Sequence, residues 1–145
     1  MTQTLISNGT LIDGRGGEPL PGASVLVENE KIIAVAAAGE ALQVELDAEQ
    51  IDAGGGTILP GFFDAHVHVM LQIGKLEAEL AEPFSLRFFK AAGHMRQTLE
   101  AGVTAVRDAG GADLGLKQAW EQGLVAGPRL QISTAVLGIT GGHVD

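Results

Sequence analysis

The decisive stretch of this chain reads Leu59-Pro60-Gly61-Phe62-Phe63-Asp64-Ala65-His66-Val67-His68. It belongs to an apolar run, residues 57–69, that predicts a β-strand. Side chains two positions apart on a strand point to the same face, so His66 and His68 can direct two imidazoles at one point. Neutral imidazole is a common zinc ligand. Asp64 lies two residues before His66 and is expected on the same face. Without binding the metal itself, it could fix the tautomer of an imidazole through a hydrogen bond.

A bare His-x-His pair is a weak motif, because two histidines on an exposed strand face without any function give the same pattern. The surroundings favour the metal hypothesis. The strand is strongly apolar and opens a series of alternating strands and helices. Barrels of β/α units carry their catalytic groups at the carboxyl ends of such strands.

The rest of the chain after this strand alternates between helix and strand patterns. Apolar residues three or four apart predict a helix over 84–101, and Gly102 suits a left-handed cap after it. A strand is predicted over 103–106, a second helix over 113–122 closed by Gly123, and a third strand over 129–137. This order predicts parallel β/α units.

The first third of the chain has the pattern of short strands. Strands are predicted over 5–12, 23–28 and 31–36, with a hairpin turn at Asn29-Glu30 and a further strand near 43–46. The glycine run 54–56 marks a boundary. It lacks the Gly-Lys-Ser/Thr of a phosphate-binding loop. We therefore predict two domains, a partial β-sandwich over 1–56 and the first units of a barrel over 57–145.

Composition excludes several classes of function. The chain has 145 residues, a formal net charge of −9 and no cysteine. Lysine and arginine are scattered, so we expect no nucleic-acid partner. The lack of cysteine excludes disulfides and thiol nucleophiles. The N-terminus has no signal-peptide pattern and no apolar run could span a bilayer, so we expect a cytoplasmic location without membrane contact.

The stretch quoted above resembles the Pro-Gly-x-x-Asp-x-His-x-His signature of the amidohydrolase superfamily. Residues 102–111, Gly-Val-Thr-Ala-Val-Arg-Asp-Ala-Gly-Gly, are similar to the second-strand region of one branch, which includes imidazolonepropionase-like enzymes and Xaa-Pro or Xaa-Arg dipeptidases. Residues 127–129 and 140–145 resemble the same branch, except that Val144 stands where the branch usually has glycine.

The resemblance implies an α/β fold, with a (β/α)8 barrel preceded by strands of a small β-sandwich. It implies one or two divalent metals per complete site, zinc by default, with His66 and His68 as ligands of the first. A carboxylated lysine and two histidines on later strands would complete the set of metal ligands. An aspartate on the eighth strand would act as the general base. The metal would activate water for attack on an amide carbonyl. His143 would lie near the substrate.

Length sets the main open question. A closed eight-stranded barrel typically needs about 250 residues, so we expect this chain to be an incomplete, N-terminal part. No residue of the chain is assigned a catalytic role. One hypothesis is a metal-dependent amide hydrolase, acting on a small molecule or dipeptide once a missing C-terminal polypeptide completes it. The alternative is a catalytically inactive fragment that associates with itself.

The pair Arg107-Asp108 at the end of the second barrel strand, and His94, have simpler interpretations. An ion pair or a loop hydrogen bond at Asp108 is favoured over catalysis, because such contacts commonly organise β/α loops. His94 lies inside the first predicted helix, where we expect a solvated or packed side chain.

Overall fold

The computed structural model describes residues 2–71 and 81–142. The chain divides into two compact units, Met1–Pro60 and Gly61–Asp145. The sequence predicts the boundary after residue 56 instead. The difference arises because the short strand Thr57–Ile58 pairs with the first strand of the chain and therefore belongs to the first unit.

The first unit is a five-stranded sheet. Its strands are β1 (Gln3–Leu11), β2 (Leu20–Glu28), β3 (Lys31–Ala36), β4 (Glu49–Asp52) and β5 (Thr57–Ile58). The order is β3-β2-β1-β4, with β5 also paired to β1. Strand β1 lies antiparallel to β2 and parallel to β4 and β5. The predicted turn at Asn29-Glu30 joins β2 to β3, and Asn29 has a φ of 53°.

The strand predicted near residues 43–46 is wrong. These residues are irregular, and Leu46 is fully exposed. The fourth strand lies instead at Glu49–Asp52, where it pairs with β1 from Thr4 to Ser7. Its only apolar residue is Ile51, so main-chain pairing rather than an apolar pattern defines this strand.

One face of the first sheet carries an open apolar groove of about 690 Å³. We call it the strand groove; its apolar lining includes Ile6, Leu11, Val27, Ile32, Val35 and Ile58. Strand β1 is irregular between Ile6 and Gly9, and Asn8 there has a φ of 57°. A Cβ at position 9 would lie 2.6 Å from Ile58, so only glycine leaves room for that isoleucine.

The second unit alternates strands and helices. Its elements are β6 (Phe62–Val67), α1 (Leu86–Glu100), β7 (Val103–Asp108), α2 (Leu114–Glu121) and β8 (Arg129–Ile132). The three strands are parallel in the order β6-β7-β8. The predicted β/α alternation is therefore observed. Gly102 and Gly123 follow the two helices with φ values of 88° and 72°, as their capping role requires.

Two predicted strands are shorter than expected. The run over 57–69 is divided into β5 and β6 by residues 59–61, where Pro60 lacks the N–H that a strand interior needs. Strand β8 ends at Ile132 rather than at residue 137. Thr134 follows with a φ of 63°, a left-handed conformation that a β-branched residue rarely adopts in a strand.

The core of the second unit lies between the sheet and its helices. Its buried members are Val69, Ala91, Met95, Val106, Ala112, Leu116 and Leu130. Met95 at the centre of α1 is 0% exposed. Helix α2 is capped by Asp113, whose Oδ1 accepts from the N–H of Leu116 at 2.8 Å. Neither α1 nor α2 is long and apolar enough to cross a membrane.

Candidate metal centre

The histidine pair lies at the carboxyl end of β6. His66 is the penultimate residue of that strand and is exposed, whereas His68 follows the strand and is half-buried. Their ring centroids are 5.3 Å apart and the rings are nearly perpendicular, at 77°. The two imidazoles are therefore neighbours at the edge of the sheet where β/α barrels carry their chemistry.

The tautomer of His68 follows from a single contact. Its Nδ1 lies 2.8 Å from the carbonyl oxygen of Gly110, in the loop after β7. A carbonyl oxygen can only accept, so Nδ1 must carry the proton and donate it. Nε2 of the neutral ring then keeps its lone pair, which is the arrangement a metal-binding imidazole needs.

Asp64 contacts the histidine pair through the main chain. Its Oδ1 accepts a hydrogen bond from the backbone N–H of His66 at 3.1 Å. The register between β6 and β7 shifts nearby, because Asp64 pairs with Val106 and Val67 with Asp108. Simple alternation does not hold across this irregularity. The proposed role of Asp64 in fixing an imidazole tautomer therefore stays a prediction.

Asp108, the last residue of β7, is fully buried. Its Oδ2 accepts from the N–H of Val69 at 2.8 Å. Its Oδ1 accepts from the N–H groups of Gly110 at 2.9 Å and Ala112 at 3.1 Å. Arg107 donates from Nε to the carbonyl oxygen of Ala65 at 2.8 Å. The sequence favours a structural contact of Asp108, either an ion pair or a loop hydrogen bond, over catalysis. The structure shows loop hydrogen bonds to this carboxylate.

His94 lies on α1 and is half-buried. Its Nδ1 is 3.2 Å from the carbonyl oxygen of Val69, the residue after His68. The expectation of a packed side chain describes His94 in part. Its contact with the segment directly after the histidine pair was not predicted. A lone histidine in a helix gives no sequence signal of such a partner.

The predicted substrate residue His143 lies outside the described residues, so its role stays a prediction. The loop at Gly110 and the carboxylate of Asp108 were missed as parts of the site. The only sequence signal for them is Asp-Ala-Gly-Gly directly after a short buried strand, a position where turn residues follow a strand end.

The donor chemistry at this edge fits a divalent metal, but the set is incomplete. Two neutral imidazoles suit zinc, whereas catalytic zinc centres usually have three protein ligands. Within residues 2–71 and 81–142, no group of three or more histidine, aspartate or glutamate side chains could hold a metal. The described part of the chain therefore brings two imidazoles together, one of them with a fixed tautomer, and their role as metal ligands stays a prediction.

Comparison with known proteins gives the family. The model of the Amidohydrolase family matches residues 57–144. Enamidase of Eubacterium barkeri is 37% identical over 70 residues, which are 48% of this chain and 18% of that protein. A solved structure described as an amidohydrolase is 40% identical to this chain with a TM-score of 0.84, over 99% of this chain and 34% of its own.

Two solved structures resemble the whole chain. A prolidase complexed with N-methylphosphonate-L-proline is 37% identical with a TM-score of 0.84, over 97% of this chain and 34% of its own. A Xaa-Pro dipeptidase with bound methionine in the active site is 30% identical with a TM-score of 0.83, over 99% of this chain and 36% of its own. The chain thus spans about a third of these structures and less of the enamidase.

These matches confirm the predicted fold class, in which β-sandwich strands precede the first β/α units of a (β/α)8 barrel. They also agree with the dipeptidase-like branch that the sequence motifs indicate. The family model covers well over half of the residues, including the histidine pair and both strands that follow it. The chain belongs to the amidohydrolase family.

Proposed function

We propose that this chain contributes the first two metal ligands, His66 and His68, to a hydrolase that cleaves an amide bond. The observation that carries the proposal is the contact between Nδ1 of His68 and the carbonyl oxygen of Gly110. It leaves Nε2 of His68 with a free lone pair, beside a second imidazole at the carboxyl end of β6.

A divalent metal at such a site lowers the pKa of water and polarises the carbonyl group of a substrate. The proposed role of this chain is to hold the metal through His66 and His68. His68 would do so while its Nδ1–H donates a hydrogen bond to the carbonyl oxygen of Gly110, which holds the ring in one orientation. His66 would be held through its backbone N–H, which donates to Asp64. We take zinc as the metal, and about one or two ions per complete site.

The substrate class rests on the relatives. The names of two structural neighbours, a prolidase and a Xaa-Pro dipeptidase, describe hydrolysis of dipeptides. We therefore propose a dipeptide or an acylated amino acid as substrate, with cyclic amides as the next choice. His143 would contact the substrate. The remaining ligands and the catalytic base would come from polypeptide beyond these 145 residues, so we expect no hydrolysis by this chain alone.

A second candidate function is supported by exposed apolar surface. Phe63 on β6 is 76% exposed and Ile32 in the strand groove is 67% exposed. Large exposed apolar areas commonly mark surfaces that bind another protein surface. Without a completing polypeptide, the chain would bury these residues by self-association and would not act as an enzyme.

Native mass and metal content of the purified protein distinguish the two candidates. The hydrolase proposal expects a larger polypeptide in the complex and about one or two metals per complex. It also expects hydrolysis of dipeptides by that complex. Copies of this chain alone, with metal well below one per chain, would instead support the self-associating alternative.

Two variants and a control sharpen this measurement. His66→Asn and His68→Asn should each remove most of the bound metal, since each deletes a ligand. His94→Asn is the comparison, because His94 is a nearby half-buried histidine that contacts the carbonyl of Val69 and is not a proposed ligand, so its loss should reduce bound metal less than the loss of either ligand. Equal metal loss in all three variants would contradict the assignment of the ligands.

A further inference from the structure

We propose that Asp108 is a positioning residue that sets the tautomer and orientation of His68. The inference concerns the metal-free protein, although its purpose rests on the ligand role proposed above. Within the described residues, the hydrogen bonds that Asp108 accepts come from main-chain N–H groups and not from the imidazole. It holds both main-chain segments that fix the ring.

The first segment is the chain directly after His68. The backbone N–H of Val69 donates to Oδ2 of Asp108 at 2.8 Å. Val69 follows the ligand immediately, so this bond fixes the peptide plane from which the His68 side chain extends. The carbonyl oxygen of Val69 lies 3.2 Å from Nδ1 of His94. Both polar groups of Val69 are therefore held by side chains.

The second segment is the loop that supplies the acceptor for the ring. The N–H of Gly110 donates to Oδ1 of Asp108 at 2.9 Å, and the N–H of Ala112 donates to the same oxygen at 3.1 Å. The carbonyl oxygen of that same Gly110 is 2.8 Å from Nδ1 of His68. One carboxylate thus fixes the ligand's backbone and the acceptor that selects its tautomer.

A carboxylate suits this task better than other side chains of its size. Burying a charge is costly unless hydrogen bonds compensate it, and here three main-chain donors do so. Both oxygens of a carboxylate accept, so the two segments can be held at once. An asparagine in its place would direct an NH2 group at one set of N–H donors, and one of the two segments would be released.

The test uses the full chain without metal and nitrogen NMR of its histidine rings, at a pH where the rings are neutral. In the unmodified chain we expect His68 to be protonated at Nδ1. In Asp108→Asn we expect a mixture of tautomers. We also expect weaker binding of added zinc, by about 10–100-fold, the usual effect of losing a residue that orients a metal ligand.

Asp113→Ala is the control for a merely structural effect. It removes a carboxylate that accepts from the N–H of Leu116 at the start of α2. Asp113 directly follows Ala112, so the variant perturbs the same neighbourhood without removing the hydrogen bonds that Val69 and Gly110 make to Asp108. We expect it to lower stability while His68 keeps its tautomer. An equal change of tautomer in both variants would overturn the proposal, since general loosening would then explain it.

The outcomes also separate this inference from the proposed function. If His68 changes tautomer in Asp108→Asn while no form of the chain binds zinc, the positioning role stands and the ligand role fails. If zinc binds and Asp108→Asn leaves tautomer and affinity unchanged, the positioning role fails alone. If Asp108→Asn does not fold, the unmodified chain decides: protonation of His68 at Nε2 overturns the proposal, and protonation at Nδ1 supports it.

Discussion

The two units of this chain bury their apolar side chains in different ways. In residues 2–60 no helix covers the sheet, and apolar residues of the strand groove remain exposed. In the second unit, α1 and α2 contribute Ala91, Met95 and Leu116 to a shared core with the sheet. The first sheet still buries Val25 and Leu26, but it leaves Ile32 and Val35 exposed, whereas the helix-covered face of the second unit shares one core with its helices.

The same contrast applies to carboxylates that accept main-chain hydrogen bonds. Asp52 in the first unit is exposed and accepts from the N–H of Gly54 and the side chain of Asn8. Asp108 in the second unit is fully buried and accepts from three N–H groups. One of the candidate metal ligands, His68, directly precedes a residue that the buried carboxylate holds.

The largest effect is expected in the helix-covered core. Met95→Ala removes a side chain that is 0% exposed, and we expect a loss of about 2–5 kcal/mol in the free energy of unfolding. Phe89→Ala on the same helix is the control. Phe89 is 75% exposed, so its loss should change stability by about 0.5 kcal/mol or less. Urea unfolding followed by circular dichroism measures both, and similar losses would contradict the described core.

An intermediate effect is expected in the strand groove. If the groove is buried by self-association, Ile32→Asp should weaken that association by about tenfold to a hundredfold, since burial of one isoleucine contributes about 1.5–3 kcal/mol. Ile33→Asp is a matched control on the same strand, because Ile33 is also exposed but does not line the groove. Sedimentation velocity over a concentration series gives both constants. Equal weakening by the two variants would exclude the groove as the interface.

The smallest effect is expected at Asp52. The N–H of Gly54 and the amide of Asn8 lower the pKa of this carboxyl below its ordinary value of 3.8. A carboxyl with a lowered pKa stabilises the fold above its unfolded-state pKa, and this contribution is lost as the pH falls through the folded-state pKa. Because Asp52 is exposed, solvent screening keeps the contribution small.

Denaturant midpoints measured across the acidic range test this contribution. Asp52→Asn should flatten the acid part of the profile and leave its shape unchanged at neutral pH. Asn8→Gly should flatten it less, because it removes the weaker of the two donors and keeps the positive φ at that position. An unchanged acid profile in Asp52→Asn would show that these hydrogen bonds do not favour the charged form.

Sequence patterns predicted the parts of this molecule that side-chain chemistry defines. The alternation of β6, α1, β7, α2 and β8 follows from apolar periodicity, and the proximity of the His66 and His68 rings follows from their spacing. The metal-binding role of the two rings stays a prediction. Strand β4 was misplaced, because its pairing with β1 is made by main-chain groups that leave no mark on the sequence.

The contacts around the histidine pair could not be predicted from the sequence for the same reason. Each partner of Asp108 is a backbone N–H, and the partner of His68 is a backbone carbonyl. Main-chain groups are present at every position, so only the folded path of the chain decides which of them meet.

The carbonyl of Gly110 has a consequence for how this site can change during evolution or engineering. No substitution can delete a backbone acceptor, so mutation can reach it only by moving the loop. Gly110 has a φ of 153°, and a Cβ there would lie 2.3 Å from Val136. Any other residue at this position would displace the carbonyl without removing it. The protonation pattern of His68 thus depends on the shape of the backbone, and libraries that randomise other side chains around the histidines would retain it as long as Asp108 and Gly110 are both kept.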